Sequence, residues 1–126
     1  MREIKFRAWV YKDSKMDYNK PQHSTLTRSF AYGHKDAELM QYIGLKDKNG
    51  VEIYKGDLLQ DDKNRLFEVI SDCRISHTGY LMDCIKNKSE TDHIQIGRFY
   101  EFKSWLYPDN FLEVIGNIYE HKHLIE

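Results

Sequence analysis

Apolar and polar positions alternate with period two over residues 3–11. Ile4, Phe6, Ala8 and Val10 fall on one face, and Lys5, Arg7, Trp9 and Tyr11 on the other. This period predicts a half-buried strand whose outer face is basic and aromatic. Residues 12–15 read as a turn and Met16 to Tyr18 as a returning strand, giving a hairpin. From Asn19 to Gly33 the periodicity fades among Pro21 and several hydroxyl side chains, which predicts a loop. Asp36 is placed to cap a short helical turn reaching Met40.

The pattern is sharpest in QYIGLKDKNGVEIYKGDLL, Gln41 to Leu59. Asp47-Lys48-Asn49-Gly50 has the chemistry of a tight reversal. The β-branched and aromatic flanks Tyr42-Ile43 and Val51–Tyr54 suit a pleated surface. Gly44 and Gly56 permit bends, and Asp57 braces the next turn, before a strand at Leu58–Gln60. A polar turn at Asp61–Asn64 leads into a strand at Leu66–Ile70.

Residues 71–108 stay open between strand and helix. Tyr80–Met82 reads as a strand after a Thr78-Gly79 turn, Asn87–Asp92 as a loop tip, and His93–Gly97 as a strand or helix entry. Phe99, Phe102, Trp105 and Leu106 have helical spacing ended by Pro108, and fit an aromatic strand as well. The chain closes with a strand at Phe111–Ile115, the turn residues Gly116 and Asn117, a short strand at Ile118–Glu120 and a terminal turn at His121–Ile125. Short strands parted by turns predict a mainly-β chain with little helix, folded as a small barrel. The expected organisation is one domain over residues 1–126. Residues 1–38 form a basic strand, hairpin and loop extension, and residues 39–126 the barrel core.

Composition narrows the class of function. An apolar share of 40% with 13% aromatic residues is too rich for a disordered chain. No run approaches the roughly 18 apolar residues of a spanning helix, and the charged start is unlike a secretory signal. Cys73 and Cys84 are therefore expected as free thiols in a cytoplasmic protein with no membrane partner. A net charge of -1 argues against a generic polyanion binder. The charge is uneven, however. Arg2, Lys5, Arg7, Lys12, Lys15, Lys20, Arg28 and Lys35 make the front basic, while Asp36, Glu38, Asp47, Glu52, Asp57, Asp61 and Asp62 make the central hairpin region acidic. Such asymmetry suits head-to-tail association of subunits or a nucleic-acid face.

No phosphate loop, nucleophile elbow or helical zinc pair is present, so no catalytic residue, metal or cofactor is expected. Cys73, His77, Cys84 and His93 lack the paired spacing of a structural zinc site, and His121 and His123 read as a polar tail. Asp47, Asn49 and Gly50 begin like a calcium loop, but Val51 stands where the next oxygen ligand belongs. The predicted interaction surface is Lys5, Arg7, Trp9 and Tyr11 with the loop residues Arg28, Phe30 and Tyr32. Aromatic residues and arginine favour protein interfaces there. Cations interleaved with rings suit single-stranded nucleic acid as the alternative. A third reading is a metal-dependent hydrolase built on Asp57, Asp61 and Asp62.

Three segments, REIKFRAWV, LMQYIGLKDKNGVEIYKGDLL and FLEVIGNIYEHKHLI, resemble blocks of the YopX family of phage and prophage proteins, in the same order. Tyr42-Ile43-Gly44-Leu45, Asp47, Asn49-Gly50, Ile53-Tyr54, Gly56-Asp57 and Ile115–Glu120 carry the resemblance at unbroken spacing. Val10 departs from it, since an acidic residue often follows the tryptophan, and so does Ile43, where threonine is common. The resemblance implies an SH3-like barrel, a bacterial host cytoplasm and no established activity. It leads to the expectation of a phage accessory protein, a non-enzymatic, oligomerising module that binds itself and an unknown host or phage protein.

Overall fold

A computed structural model describes residues 5–11, 14–18, 37–71, 79–88, 93–107 and 109–126. Arg28, Phe30, Tyr32, Cys73 and His77 lie outside them. The chain forms two curled antiparallel sheets of a barrel-like, mainly-β fold. The first sheet has the order β2-β1-β3-β4, from β1 (Phe6–Val10), β2 (Lys15–Asp17), β3 (Ala37–Lys46) and β4 (Glu52–Tyr54). The second has the order β8-β7-β6-β5-β9, from β5 (Asp57–Gln60), β6 (Leu66–Ser71), β7 (Tyr80–Lys86), β8 (Phe99–Tyr100) and β9 (Glu113–Asn117). Among the described residues the helices are α1 (Lys103–Leu106) and a 3-10 turn at Lys122–Leu124.

The long strand β3 organises the first sheet. Its first half pairs with β1, Phe6 opposite Gln41 and Val10 opposite Ala37. Its second half pairs with β4, and the register shifts between Tyr42 and Lys46, around Gly44. The expected helical turn before Met40 is thus strand from Ala37 onward, because pairing with β1 supplies the hydrogen bonds that a short helix would leave unmade. The expected boundary at residues 38 and 39 falls inside this strand.

The core lies between the sheets. Ile43 and Ile53 from the first meet Leu59, Phe67, Val69, Met82 and Cys84 from the second, and Leu112 and α1 close the end with Phe102, Trp105 and Leu106. Burying each large apolar side chain contributes roughly 1.5–3 kcal/mol. Helical spacing was thus right for residues 102–106, whereas Phe99 sits in β8 and is half exposed. Residues 93–97 are neither strand nor helix. They end in a turn in which Arg98 N–H donates to Gln95 C=O at 3.2 Å, and Gly97 N–H ties it to β7 through Cys84 C=O at 2.9 Å. The last strand starts two residues later than expected and runs through Gly116 and Asn117, expected as turn residues, because both pair with β5. Ile118–Glu120 is a turn, because Asn117 Oδ1 accepts the amides of Tyr119 and Glu120 at 3.0 and 2.8 Å.

Candidate functional site

The two sheets meet along a seam formed by β4 and β9, each the edge of its own sheet. Two turns pin this seam. At one end Asp47 Oδ1 takes the amides of Asn49 and Val51 at 2.9 and 2.8 Å, which makes the reversal that ends at Gly50. Its Oδ2 reaches across to the amide of Val114 at 2.9 Å, while Lys48 N–H donates to Leu112 C=O at 2.9 Å. Asp47 is accordingly buried, which turn chemistry alone does not require. At the other end Ile118 N–H donates to Gly56 C=O at 3.0 Å, and Gly56 N–H to Val69 C=O at 2.9 Å. Gly56 holds a φ of +88°, which favours glycine, and a Cβ there would lie 3.0 Å from Met40 Sδ, a tight contact with a side chain. Asp47 at Val114 and Gly56 at Ile118 fix the same direction for both edges.

Between the pins the seam opens into a groove of about 660 Å³. Val51 and Tyr54 of the first sheet line it with Val114 and Asn117 of the second, and Tyr18 stands at its wall. Its floor is the pair Arg7 and Asp57, whose side chains are 3% and 1% exposed. Arg7 Nη2 lies 2.7 Å from Asp57 Oδ1 and also donates to Lys55 C=O at 3.2 Å, while Nη1 donates to the Tyr18 hydroxyl at 3.3 Å. The guanidinium lies 4.8 Å from the centre of the Tyr54 ring and 5.9 Å from that of Tyr18. Asp57 Oδ2 accepts the Tyr54 amide at 2.8 Å.

Satisfaction at the floor is incomplete. The Nη2–Oδ1 approach is an ion contact without hydrogen-bond direction. Among the described residues no hydrogen bond ends on Asp57 Oδ1 and none starts at Arg7 Nε, though both atoms are buried. Burial drives the Asp57 carboxyl upward from the ordinary carboxylate range, against the pull of the Arg7 cation and the Tyr54 amide. At the rim, His121 Nδ1 accepts the Asn117 amide at 3.1 Å, and the ring packs so tightly on Gly116 that a Cβ would lie 2.6 Å from it.

The strand predicted to present Lys5, Arg7, Trp9 and Tyr11 to solvent turns that face onto the molecule instead. Arg7 is 2% exposed and Trp9 8%. Trp9 stacks on Tyr119 at 5.4 Å, Tyr11 meets the same ring edge-on while half exposed itself, and Lys5 pairs with Glu52. The period was legible and Ala8 is buried as expected, but the second face at Arg7 and Trp9 is buried as well, because polarity read from sequence does not count a buried partner such as Asp57. Burial and the neighbouring Glu38 push the Tyr119 phenol up. Of the predicted residues, the groove therefore gathers Arg7, Asp57, Gly116 and Asn117, while Trp9 and Tyr11 lie in the cluster at Tyr119.

The carboxylates considered for a metal do not converge. Asp57 faces Arg7, and Asp61 Oδ2 accepts from Arg65 Nε at 2.6 Å and from Trp105 Nε1 at 3.0 Å. Asp61 Oδ1 takes the amides of Lys63 and Arg65. Among the described residues no three His, Cys, Asp or Glu side chains are grouped to hold a metal ion. A second groove, beside this Asp61 knot, is lined by Lys63, Phe99, Trp105 and Phe111. Sequence reading missed Tyr18, Tyr54 and His121 as groove residues. Tyr54 alone carried a signal, standing three residues before Asp57.

A family model described as YopX protein matches residues 5–126. The chain belongs to the YopX family. No curated protein matches it. Among solved structures it is similar to the crystal structure of protein EF1440 from Enterococcus faecalis, with 24% identity, a TM-score of 0.60 and full coverage of both chains. That likeness is one of fold. Of the residues that carry the YopX resemblance, Ile53-Tyr54, Gly56-Asp57 and Gly116-Asn117 fall at this seam.

Proposed function

We propose that this YopX protein is a non-enzymatic binding module that seats a side chain of a partner protein in the groove between β4 and β9. The observation that carries the reading is the groove itself. It is a cleft at the junction of two sheets, with Tyr18 and Tyr54 at its wall, the Arg7–Asp57 pair at its floor and the charged side chains of Lys15, Glu52 and Glu120 in its lining, and clefts with convergent polar groups are the usual form of a ligand site. The acidic side chains that a hydrolase reading relied on serve internal structure at Asp57 and Asp61. The basic strand that a nucleic-acid reading relied on is packed at Arg7 and Trp9. Association with a second copy and a phage accessory role in a bacterial cytoplasm belong to the same proposal, with the partner's segment lying across the rim.

Val51 is 47% exposed at that rim and Ile96 is 62% exposed and not part of the groove lining. A photo-crosslinking residue at position 51 is expected to trap a discrete partner in host cells, and one at position 96 is not. Val51→Glu, introduced beside a crosslinker at Tyr18, is expected to abolish the product. Equal trapping from positions 51 and 96, or an unchanged product with Val51→Glu, would refute the module.

A further inference from the structure

The floor of the groove specifies a chemical class of ligand. Arg7 Nε is a donor without an acceptor, and Asp57 Oδ1 is an acceptor without a hydrogen-bond donor, among the described residues. They belong to one neutralised ion pair whose side chains are more than nine-tenths buried and line the same groove. Buried polar groups are rarely left this way, and an unmade bond in such a site costs more than a made one contributes. A carboxylate brings acceptors alone and meets Asp57 as a like charge. An ammonium brings donors alone and meets Arg7. A primary carboxamide brings an acceptor for Nε and a donor for Oδ1 without charge.

The pins of the seam narrow the source further. Backbone hydrogen bonds at Lys48–Leu112 and Gly56–Ile118 bracket the groove at its two ends, so the opening between them is short. A single side chain has room to enter. Neither Arg7 Nε nor Asp57 Oδ1 is reached by solvent in this structure, so entry requires Tyr18, 56% exposed with its hydroxyl on Arg7 Nη1, to turn away, and exposed rings change rotamer on the ps–ns scale.

We infer that the groove takes the carboxamide of a glutamine or asparagine side chain, held between Arg7 Nε and Asp57 Oδ1. This rests on the binding-module reading above and adds its ligand class. The test is an NMR titration of the full chain, following the Arg7 Nε–H resonance and the Tyr54 and Asn117 amides. The probes are acetamide, N-methylacetamide, sodium acetate and methylammonium chloride. Acetamide is expected to give saturable shifts at all three positions. N-methylacetamide, standing for a backbone amide, is expected to bind about tenfold more weakly, as the loss of one hydrogen bond implies. Acetate and methylammonium are expected to give no saturable shift. Acetamide without saturation, acetate or methylammonium matching it, or N-methylacetamide binding as tightly, each overturns the inference. In Asp57→Asn the floor gains a donor, and a well-dispersed spectrum with preference moved from acetamide toward acetate supports it. A folded variant that still prefers acetamide contradicts it. Should that variant fail to fold, the probe series on the parent chain decides alone. A failed probe series with crosslinking still lost in Val51→Glu removes the ligand class only, while an unaffected crosslink removes the module.

Discussion

Among the described residues two arginine–aspartate pairs are buried, and they are built to different standards. Asp61 and Arg65 stand four residues apart across one turn, and the Asp61 carboxylate accepts four hydrogen bonds, two from turn amides, one from Arg65 and one from the Trp105 indole. Arg7 and Asp57 come from different sheets, and the pair leaves Nε and Oδ1 without hydrogen bonds. Local sequence can perfect a carboxylate cage, because the turn that carries the acid also delivers the donors. A pair assembled over fifty positions of chain must take the geometry that the sheets allow. The first pair is a structural knot under α1, whereas the second sits at the floor of an open groove, where incomplete satisfaction leaves capacity for a ligand.

The comparison can be broken most forcefully by removing one partner of each pair. Arg7→Ala strands the Asp57 charge, and Asp61→Ala strands Arg65 with the Trp105 N–H and two amides. Each is expected to cost about 3–5 kcal/mol in denaturant unfolding. Paired neutral replacements separate the two. Arg7→Met with Asp57→Asn keeps an acceptor for the Tyr54 amide and is expected to stay within about 1 kcal/mol of the parent, since an under-satisfied ion pair contributes little net stability. Arg65→Met with Asp61→Asn cannot serve the Trp105 indole and both turn amides from one carbonyl oxygen, so it is expected to lose about 2–3 kcal/mol. Equal losses in the two double variants would erase the distinction.

Gly116→Ala probes the groove side alone. The new methyl lies against the His121 ring and is expected to cost roughly 1–3 kcal/mol and to move the Asn117 amide resonance, with the Lys63 and Arg65 amides unmoved. The smallest effect is electrostatic. Glu68 and Asp83 oppose each other across β6 and β7, and burial raises both carboxyls above their ordinary values of 4.5 and 3.8. A raised folded pKa means that the folded state holds protons which the unfolded state has released. The stability that these two groups contribute is therefore greatest below those ordinary values and is lost as pH rises through the folded ones. Glu68→Gln is expected to flatten this decline in unfolding curves taken across that window. A parent curve that rises with pH there, with Glu68→Gln unchanged from it, would contradict the assignment.

Much of the fold is legible in the amino-acid sequence. Turn chemistry placed the Asp47–Gly50 reversal and the Asp61–Asn64 turn, and alternation placed β1, because these signals are local. What escaped depends on distant partners. Arg7 looked solvent-facing because its counter-ion lies fifty residues away. Ala37 to Met40 looked able to form a helical turn because the pairing with β1 is long-range. The groove was only half legible for the same reason. Asp57 and Gly116 read as turn residues, and nothing in their own neighbourhood said that Arg7 and Tyr18 would meet them.

The capping of β9 bears on a different property, colloidal behaviour. An edge strand with free amides is a template for a second chain and a route to aggregation. In β9 the amide of Val114 is taken by Asp47 and that of Asn117 by the His121 imidazole, while a bulge interrupts the ladder to β5. Two side chains from outside the strand thus leave little for a growing fibril to read. Asp47, which shapes the hairpin, also takes up one of the amides that an added strand would need.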